Sequence, residues 1–248
     1  LMDGVRGGHA TPGEFRRTQN WIGPPGCTLN SATYVPPPVT EMKDALSDLE
    51  KYLNGNPREP VLIQCALMHY QFEAIHPFID GNGRVGRLLI TFLLCERGQL
   101  SHPLLYLSSF FERHRDEYYR RLLAVSRDSD WKGWVEYFLR GVATQARASC
   151  ENAGAILDLH KELTEQVSAR KGPRIAPRIL DHLFSNPVIS TTDLAGKWSL
   201  NYLTVQRGVE HLTSLGVLEE YTGQKRNRLY TAPRLMRILT GQDNERDD

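Results

Sequence analysis

The chain has 248 residues, with 30 Lys and Arg against 29 Asp and Glu, a net charge of +1 and a pI near 7.9. With 40% hydrophobic residues and a mean hydropathy of −0.42, it reads as a globular protein with one sizeable core and a smaller module, without the strong basic excess of a chain gripping nucleic acid along its length. Its apolar runs, such as LLITFLLC (88–95), are far too short to span a bilayer, and Cys27, Cys65, Cys95 and Cys150 show no C-x-x-C pairing, so the expectation is a cytoplasmic protein with reduced thiols and no membrane partner.

In chain order, the first distinct segment is Cys27 to Val35 (CTLNSATYV), short and bounded by prolines on both sides. On the residues alone it is equally an ordinary surface loop. Pro60 to Ile75 then has helical spacing, with Leu62, Ala66, Leu67, Tyr70 and Ala74 as an apolar stripe. That helix should end near His76, because Pro77 disfavours helical geometry at the residue before it. His69 reads as a core residue. Gly81-Asn82-Gly83 opens the next helix, expected over Arg84 to Arg97.

The segment from His76 to Arg87 concentrates chemistry. Imidazole accepts a proton near neutrality, and His76 stands at a helix exit. Asp80 offers a hard oxygen ligand of the kind Mg²⁺ takes alongside phosphate oxygens. Glycines allow close backbone approach, and the first turn of a helix favours an anion. Arg84 and Arg87 lie three apart, so two guanidinium forks project from one side of that helix start. The combination suits deprotonation of a nucleophile beside a metal-bound polyphosphate.

Further on, Trp131 to Arg170 reads as two mostly helical stretches, the first amphipathic through Trp134, Phe138 and Val142, the second through Ile156, Leu159 and Leu163. A module follows from about Gly172. It has a short helix over Ile175 to Phe184, another capped by Thr191-Thr192-Asp193, and a third after Asn201 ending at Gly216. A hairpin comes next, from Val217 to Tyr221 and Arg228 to Thr231. Three helices and a hairpin form a winged helix-turn-helix pattern. Residues 173–241 hold nine Lys/Arg and five Asp/Glu, with Lys225, Arg226 and Arg228 at the wing. The presumed recognition helix offers only Arg207 and His211, so a protein partner or homodimer is favoured over DNA.

His76 to Arg87 matches the pattern H-P-F-x-[D/E]-G-N-G-R-x-x-R at every defined position, and the chain resembles the Fic family. PGEFRRTQNWIG (12–23), the stretch ending ATYVPPP (32–38) and residues 105–142 carry the likeness further. It covers roughly Leu1 to Ala155. The resemblance implies a mainly α fold: a Fic-type helical core with a small β-hairpin flap, then a winged helix-turn-helix module. The expected boundaries are a catalytic domain over 1–155, a helical linker over 156–172, the winged-helix module over 173–241 and a disordered tail over 242–248.

The resemblance also implies an activity, the transfer of AMP from ATP to Ser, Thr or Tyr hydroxyls of a target protein or of the chain itself. His76 would be the base and Asp80 would hold Mg²⁺. Gly81, Asn82 and Gly83 would cradle phosphate. Val85 and Gly86 lie between Arg84 and Arg87, which would hold the β/γ end. Thr33 and Tyr34 on the flap, and Tyr118 and Tyr119, would border the nucleotide, with one of that tyrosine pair as plain core. The target would dock along residues 28–35. Relatives that phosphorylate carry Lys where this chain has Gly83, which favours nucleotidyl transfer. His114 replaces the Asn of many relatives. Two other readings stand beside it: a regulator acting through the winged helix with the site as nucleotide sensor, and removal of AMP by the same site. The family's inhibitory pattern [S/T]-x-x-x-E-[G/N] is absent from this sequence. That helix is expected upstream of Leu1 or on a partner chain.

Overall fold

The computed structural model describes residues 13–55, 57–224 and 228–240. The opening residues, Lys225 and Arg226 of the expected wing, and the expected tail over 242–248 lie outside the described residues. The chain divides into two compact units, Leu1–Arg147 and Ala148–Asp248.

The first unit is helical. It contains α1 (Val39–Asn54), α2 (Val61–Ile75), α3 (Asn82–Glu96), α4 (Leu107–Arg113), α5 (Arg115–Asp128) and the first part of α6 (Trp131–Ser168). α1 is an element the sequence reading passes over, although Met42, Leu46, Leu49 and Leu53 recur at helical spacing and pack into the core. α2 runs through the middle. Gln64, Cys65, Ala66, Met68, His69, Tyr70, Phe72, Glu73 and Ile75 are all buried, which takes in most of the helix's circumference, and its other residues are half-buried. The expected stripe is therefore incomplete, and Leu62, Leu67 and Ala74 lie on the less covered part. A helix enclosed nearly all round carries no single apolar face for periodicity to find.

His69 is a core residue, as its spacing suggests. It is fully enclosed, stacks 5.6 Å from Phe111 and 6.0 Å from Trp134, and shares a 2.9 Å hydrogen bond with the Tyr118 hydroxyl. Trp134 donates its indole N–H to the Ala66 carbonyl at 2.9 Å, tying α6 to α2.

α3 begins at Asn82, two residues earlier than the sequence suggests, since Gly81 (φ 87°) takes the left-handed N-cap position that glycine adopts freely. The two helical stretches expected over 131–170 are one 38-residue helix, α6. Gly141 does not break it. It makes room for Phe110, whose ring lies 2.7 Å from where a β-carbon would stand.

The second unit holds the rest of α6, then α7 (Ala176–Leu183), β1 (Val188–Ser190), α8 (Thr191–Trp198), α9 (Tyr202–Ser214), β2 (Glu219–Glu220), β3 (Leu229–Thr231) and α10 (Pro233–Thr240). Its strands pair antiparallel in the order β1-β3-β2, with Val188 opposite Thr231 and Glu219 opposite the same Thr231. β1 and α10 are additions to the three helices and hairpin read from sequence. α8 is capped one residue earlier than expected, by Ser190, whose hydroxyl accepts the Asp193 N–H at 3.1 Å. Asn201 caps α9 through the Leu203 N–H at 2.8 Å. Leu159, Leu163 and Val167 are buried in this unit's core with Ile179, Leu183 and Leu212. The segment expected as a linker over 156–172 thus supplies core residues, because the apolar stripe on α6 that begins at Ile156 needs a partner surface and finds it on α7 and α9.

Candidate active site

α2 ends where Pro77 requires it to, and His76 takes a left-handed conformation at φ 49° and ψ 59°. Its own N–H still bonds the Phe72 carbonyl at 3.0 Å. The turn brings the imidazole Nδ1 to 3.2 Å from the Glu73 carbonyl. A carbonyl only accepts, so Nδ1 carries the proton and Nε2 is left basic. Burial lowers the imidazole's pKa to about 4. The Glu73 carbonyl opposes this, Arg16 adds to it, and Asp80 opposes it again. His76 is therefore neutral at pH 7, as a base must be.

The turn after His76 is held from within. Asn82 is buried, accepts the Phe78 N–H at 2.8 Å and donates to the Phe78 carbonyl at 2.8 Å. Its side chain is spent on the loop, leaving only its backbone to face a ligand. Asp80 Oδ1 accepts the Gly81 N–H at 2.6 Å and lies 3.7 Å from the Arg84 guanidinium. Arg87, one turn on, donates from Nε to the Ser108 hydroxyl at 3.1 Å. A β-carbon at Gly83 would stand 3.0 Å from Arg87 Nη1, so the bare glycine gives that guanidinium its space.

A cavity of about 670 Å³ joins these groups to more distant segments. His76, Asp80, Gly83 and Arg87 line one part of it, Thr33 and Tyr34 another, and Tyr118 and Tyr119 a third. Eight residues singled out by sequence therefore share one space. Gly81, Asn82, Arg84, Val85 and Gly86 are not among the lining residues. Val85 packs against the core. Gly86 is buried against α2, where a β-carbon would come within 2.7 Å of Glu73 Oε1 and 3.1 Å of Phe72. Its role in this structure is helix approach rather than ligand contact.

The flap is closed by one antiparallel bridge, Ile22 to Tyr34, with N–H···O distances of 2.9 and 3.1 Å and a further bond from Thr33 to Ile22 at 2.8 Å. A single 3₁₀ turn, Leu29–Ser31, lies at its centre. The Tyr34 hydroxyl donates to the Ala74 carbonyl at 3.0 Å, and burial raises its pKa. The two α5 tyrosines both line the cavity but differ in exposure. Tyr118 is buried and bonded to His69, whereas Tyr119 is 49% exposed with the Arg115 guanidinium 5.7 Å from its ring centre.

Several lining residues escaped the sequence reading. Arg115, Leu122 and Ser126 share a helical face of α5 with Tyr119, at spacings of three and four, so periodicity could have found them once Tyr119 was chosen. Trp21, Gly23 and Pro24 reach the cavity from the flap. Glu73 is the most unusual. Only 9% exposed, it has an Oε1 without a hydrogen-bond partner among the described residues, and burial pushes its pKa up to about 7 against the pull of Arg87.

Residues 1–94 match the sequence profile of the Fic/DOC family. The chain is similar to Fic proteins over part of its length. Over 136 residues it is 35% identical to "Protein adenylyltransferase Fic" of Drosophila grimshawi, covering 52% of this chain and 25% of that protein. The protein of the same name from Culex quinquefasciatus is 34% identical over 136 residues, with 52% and 24% covered. The aligned part thus spans about a quarter of the length of these relatives. A crystal structure of a Fic family protein from Desulfovibrio desulfuricans G20 shares the fold, with a TM-score of 0.51 at 21% identity, over 88% of this chain and 62% of that one. The matched residues include the His76–Arg87 turn, α2 and most of α3. The likeness of fold extends into the second unit.

Proposed function

We propose that this chain transfers AMP from ATP to a hydroxyl group of a protein. The observation that carries the reading is the shared cavity, where a neutral imidazole with a basic Nε2 stands beside a carboxylate, the first turn of α3 and the Arg87 guanidinium. His76 Nε2 takes the proton of the incoming hydroxyl as its oxygen attacks the α-phosphorus. The bond from that phosphorus to the bridging oxygen of the β-phosphate breaks, and pyrophosphate leaves. First-turn amides of α3, which have no carbonyl within the helix to bond, face the phosphates. Arg87 offsets charge on the departing pyrophosphate.

The residues present fit Mg²⁺ arriving with the nucleotide. Asp80 supplies one carboxylate at the cavity, and no cluster of three or more His, Cys, Asp or Glu suited to a resident ion occurs among the described residues. One carboxylate plus phosphate oxygens is a common Mg²⁺ arrangement. When bound, the ion would neutralise phosphate charge. The acceptor enters along the flap, where Leu29 and Val35 are exposed apolar side chains and the exposed Trp21 lines the cavity.

Incubation with ATP labelled at the α-phosphate, in Mg²⁺, tests this directly. Label should reach protein from the α position and not from the γ position, and His76→Ala should lower transfer by about 10²-fold or more. Label from the γ-phosphate, or undiminished transfer in His76→Ala, would overturn the proposal.

A further inference from the structure

The flap enters through residues 16–20 and leaves through 36–37, and both stems are fastened to the backbone of the catalytic turn. Arg16 is 2% exposed although it carries a full charge. Its Nε donates to the His76 carbonyl at 3.0 Å, Nη1 to the Thr18 carbonyl at 3.3 Å, and Nη2 to the Pro37 carbonyl. Its backbone N–H donates to the Pro77 carbonyl at 2.8 Å. Asn20 donates its amide to the same His76 carbonyl at 3.3 Å and to the Phe78 carbonyl at 3.0 Å. Gln19 closes the stems on each other through the Pro36 carbonyl at 2.8 Å.

Burying a guanidinium is costly unless its hydrogens are satisfied. Here they are satisfied by carbonyls, and among the described residues no ion pair involves Arg16. Packing alone would be served as well by an uncharged side chain. What the charge achieves is a three-way junction of entering stem, leaving stem and catalytic turn. The carbonyl it holds belongs to His76, whose left-handed backbone sets the direction of the imidazole. A change in that carbonyl's direction would swing the ring.

We propose that Arg16 and Asn20 are positioning residues that lock the His76 carbonyl to the flap stems, fixing the distance between the base and the edge where an acceptor docks. The inference rests on the transferase reading given above, and it adds two residues outside the His76–Arg87 segment to the machinery. Because α3 and Arg87 hold the phosphates, the lock bears on the acceptor's geometry far more than on nucleotide affinity.

The test uses the full chain with Asn20→Ala, Asn20→Asp, Arg16→Lys and Arg16→Gln. Asn20→Asp keeps the shape but loses the donor, and Arg16→Lys keeps the charge but cannot bridge three carbonyls. Two quantities are measured: affinity for a non-hydrolysable ATP analogue with Mg²⁺, and the transfer rate at saturating ATP. Analogue affinity should stay within about twofold while the rate falls about 10- to 100-fold, the scale expected for a misplaced reacting group. Hydrogen exchange should quicken at residues 22–34 and 76–82, with α1 and α5 unchanged. A rate equal to the parent's, or a rate loss accompanied by equal loss of analogue affinity and faster exchange throughout the unit, would overturn the proposal. Should the parent protein label no acceptor, the transferase reading fails instead. The exchange pattern then decides whether the lock exists, with local quickening supporting it and uniform or absent quickening refuting it.

Discussion

Glu73 and His76 lie one helical turn apart on α2, and burial moves their protons in opposite senses of charge. Both His76, at about 4, and His69, at about 3, resist protonation in the fold. An unfolded histidine takes its proton near 6.5, so below that pH the unfolded chain binds more protons and stability falls. Glu73 behaves conversely. It keeps its proton up to about 7 when folded but releases it around 4.5 when unfolded. Its contribution is complete below about 4.5 and is lost as pH rises through about 7. Between pH 6 and pH 8 this loss opposes the gain from the two histidines, so Glu73→Gln should make stability rise more over that interval, read as the change in urea midpoint between the two pH values. An unchanged pH dependence in the variant would show that Glu73 does not change its proton on folding. Gly86 offers a second check at this scale. A methyl group there meets Glu73 Oε1 and Phe72, so Gly86→Ala should cost about 1–3 kcal/mol by denaturant titration, despite the better helix propensity of alanine.

Among the elements, the turn joining α2 to α3 is the most closely determined. Asn82→Ala leaves the Phe78 N–H without its buried acceptor and should cost about 1–3 kcal/mol, whereas Asn201→Ala at the more exposed start of α9 should cost about 1 kcal/mol. The difference between the two in one denaturation series is the measurement. Legibility in the sequence followed the same division. His76, Asp80, Gly83 and Arg87 were readable because twelve consecutive residues carry them, and Pro77 and Gly81 punctuate the backbone in ways that hold in any context. Part of the opposite wall was not. Trp21 and Gly23 reach the cavity only through tertiary packing, and Arg115 is marked only as a helical-face neighbour of Tyr119. Glu73 was hidden because an acidic residue on a helix ordinarily faces water. α2 itself was found by its helical spacing and its terminating proline, while the stripe read on it was incomplete because most of its circumference is buried.

At the scale of the whole chain, there are two separate cores. Trp134, Tyr137 and Phe138 near the start of α6 belong to the first, and Leu159, Leu163 and Val167 near its end to the second. Sequence reading placed a boundary at the Gly172-Pro173 punctuation, which marks where α6 has stopped but not where its side chains are used. A fragment over 148–240 should therefore unfold in a single cooperative transition. One over 173–240, lacking three buried aliphatic residues at about 2–5 kcal/mol each on truncation, should be far less stable or unfolded. Circular dichroism melts of the two fragments decide the matter, and equal stability would place the α6 segment outside the second core.

The enclosure of α2 bears on how such a protein could change its clientele. Nearly every side chain between Gln64 and Ile75 is wedged among neighbours, so almost no position there is at liberty to vary without disturbing the base at its end. Trp21, Arg115 and Tyr119 line the cavity with open sides. New acceptors would be acquired by redrawing that lining, leaving the reaction beneath it as it was.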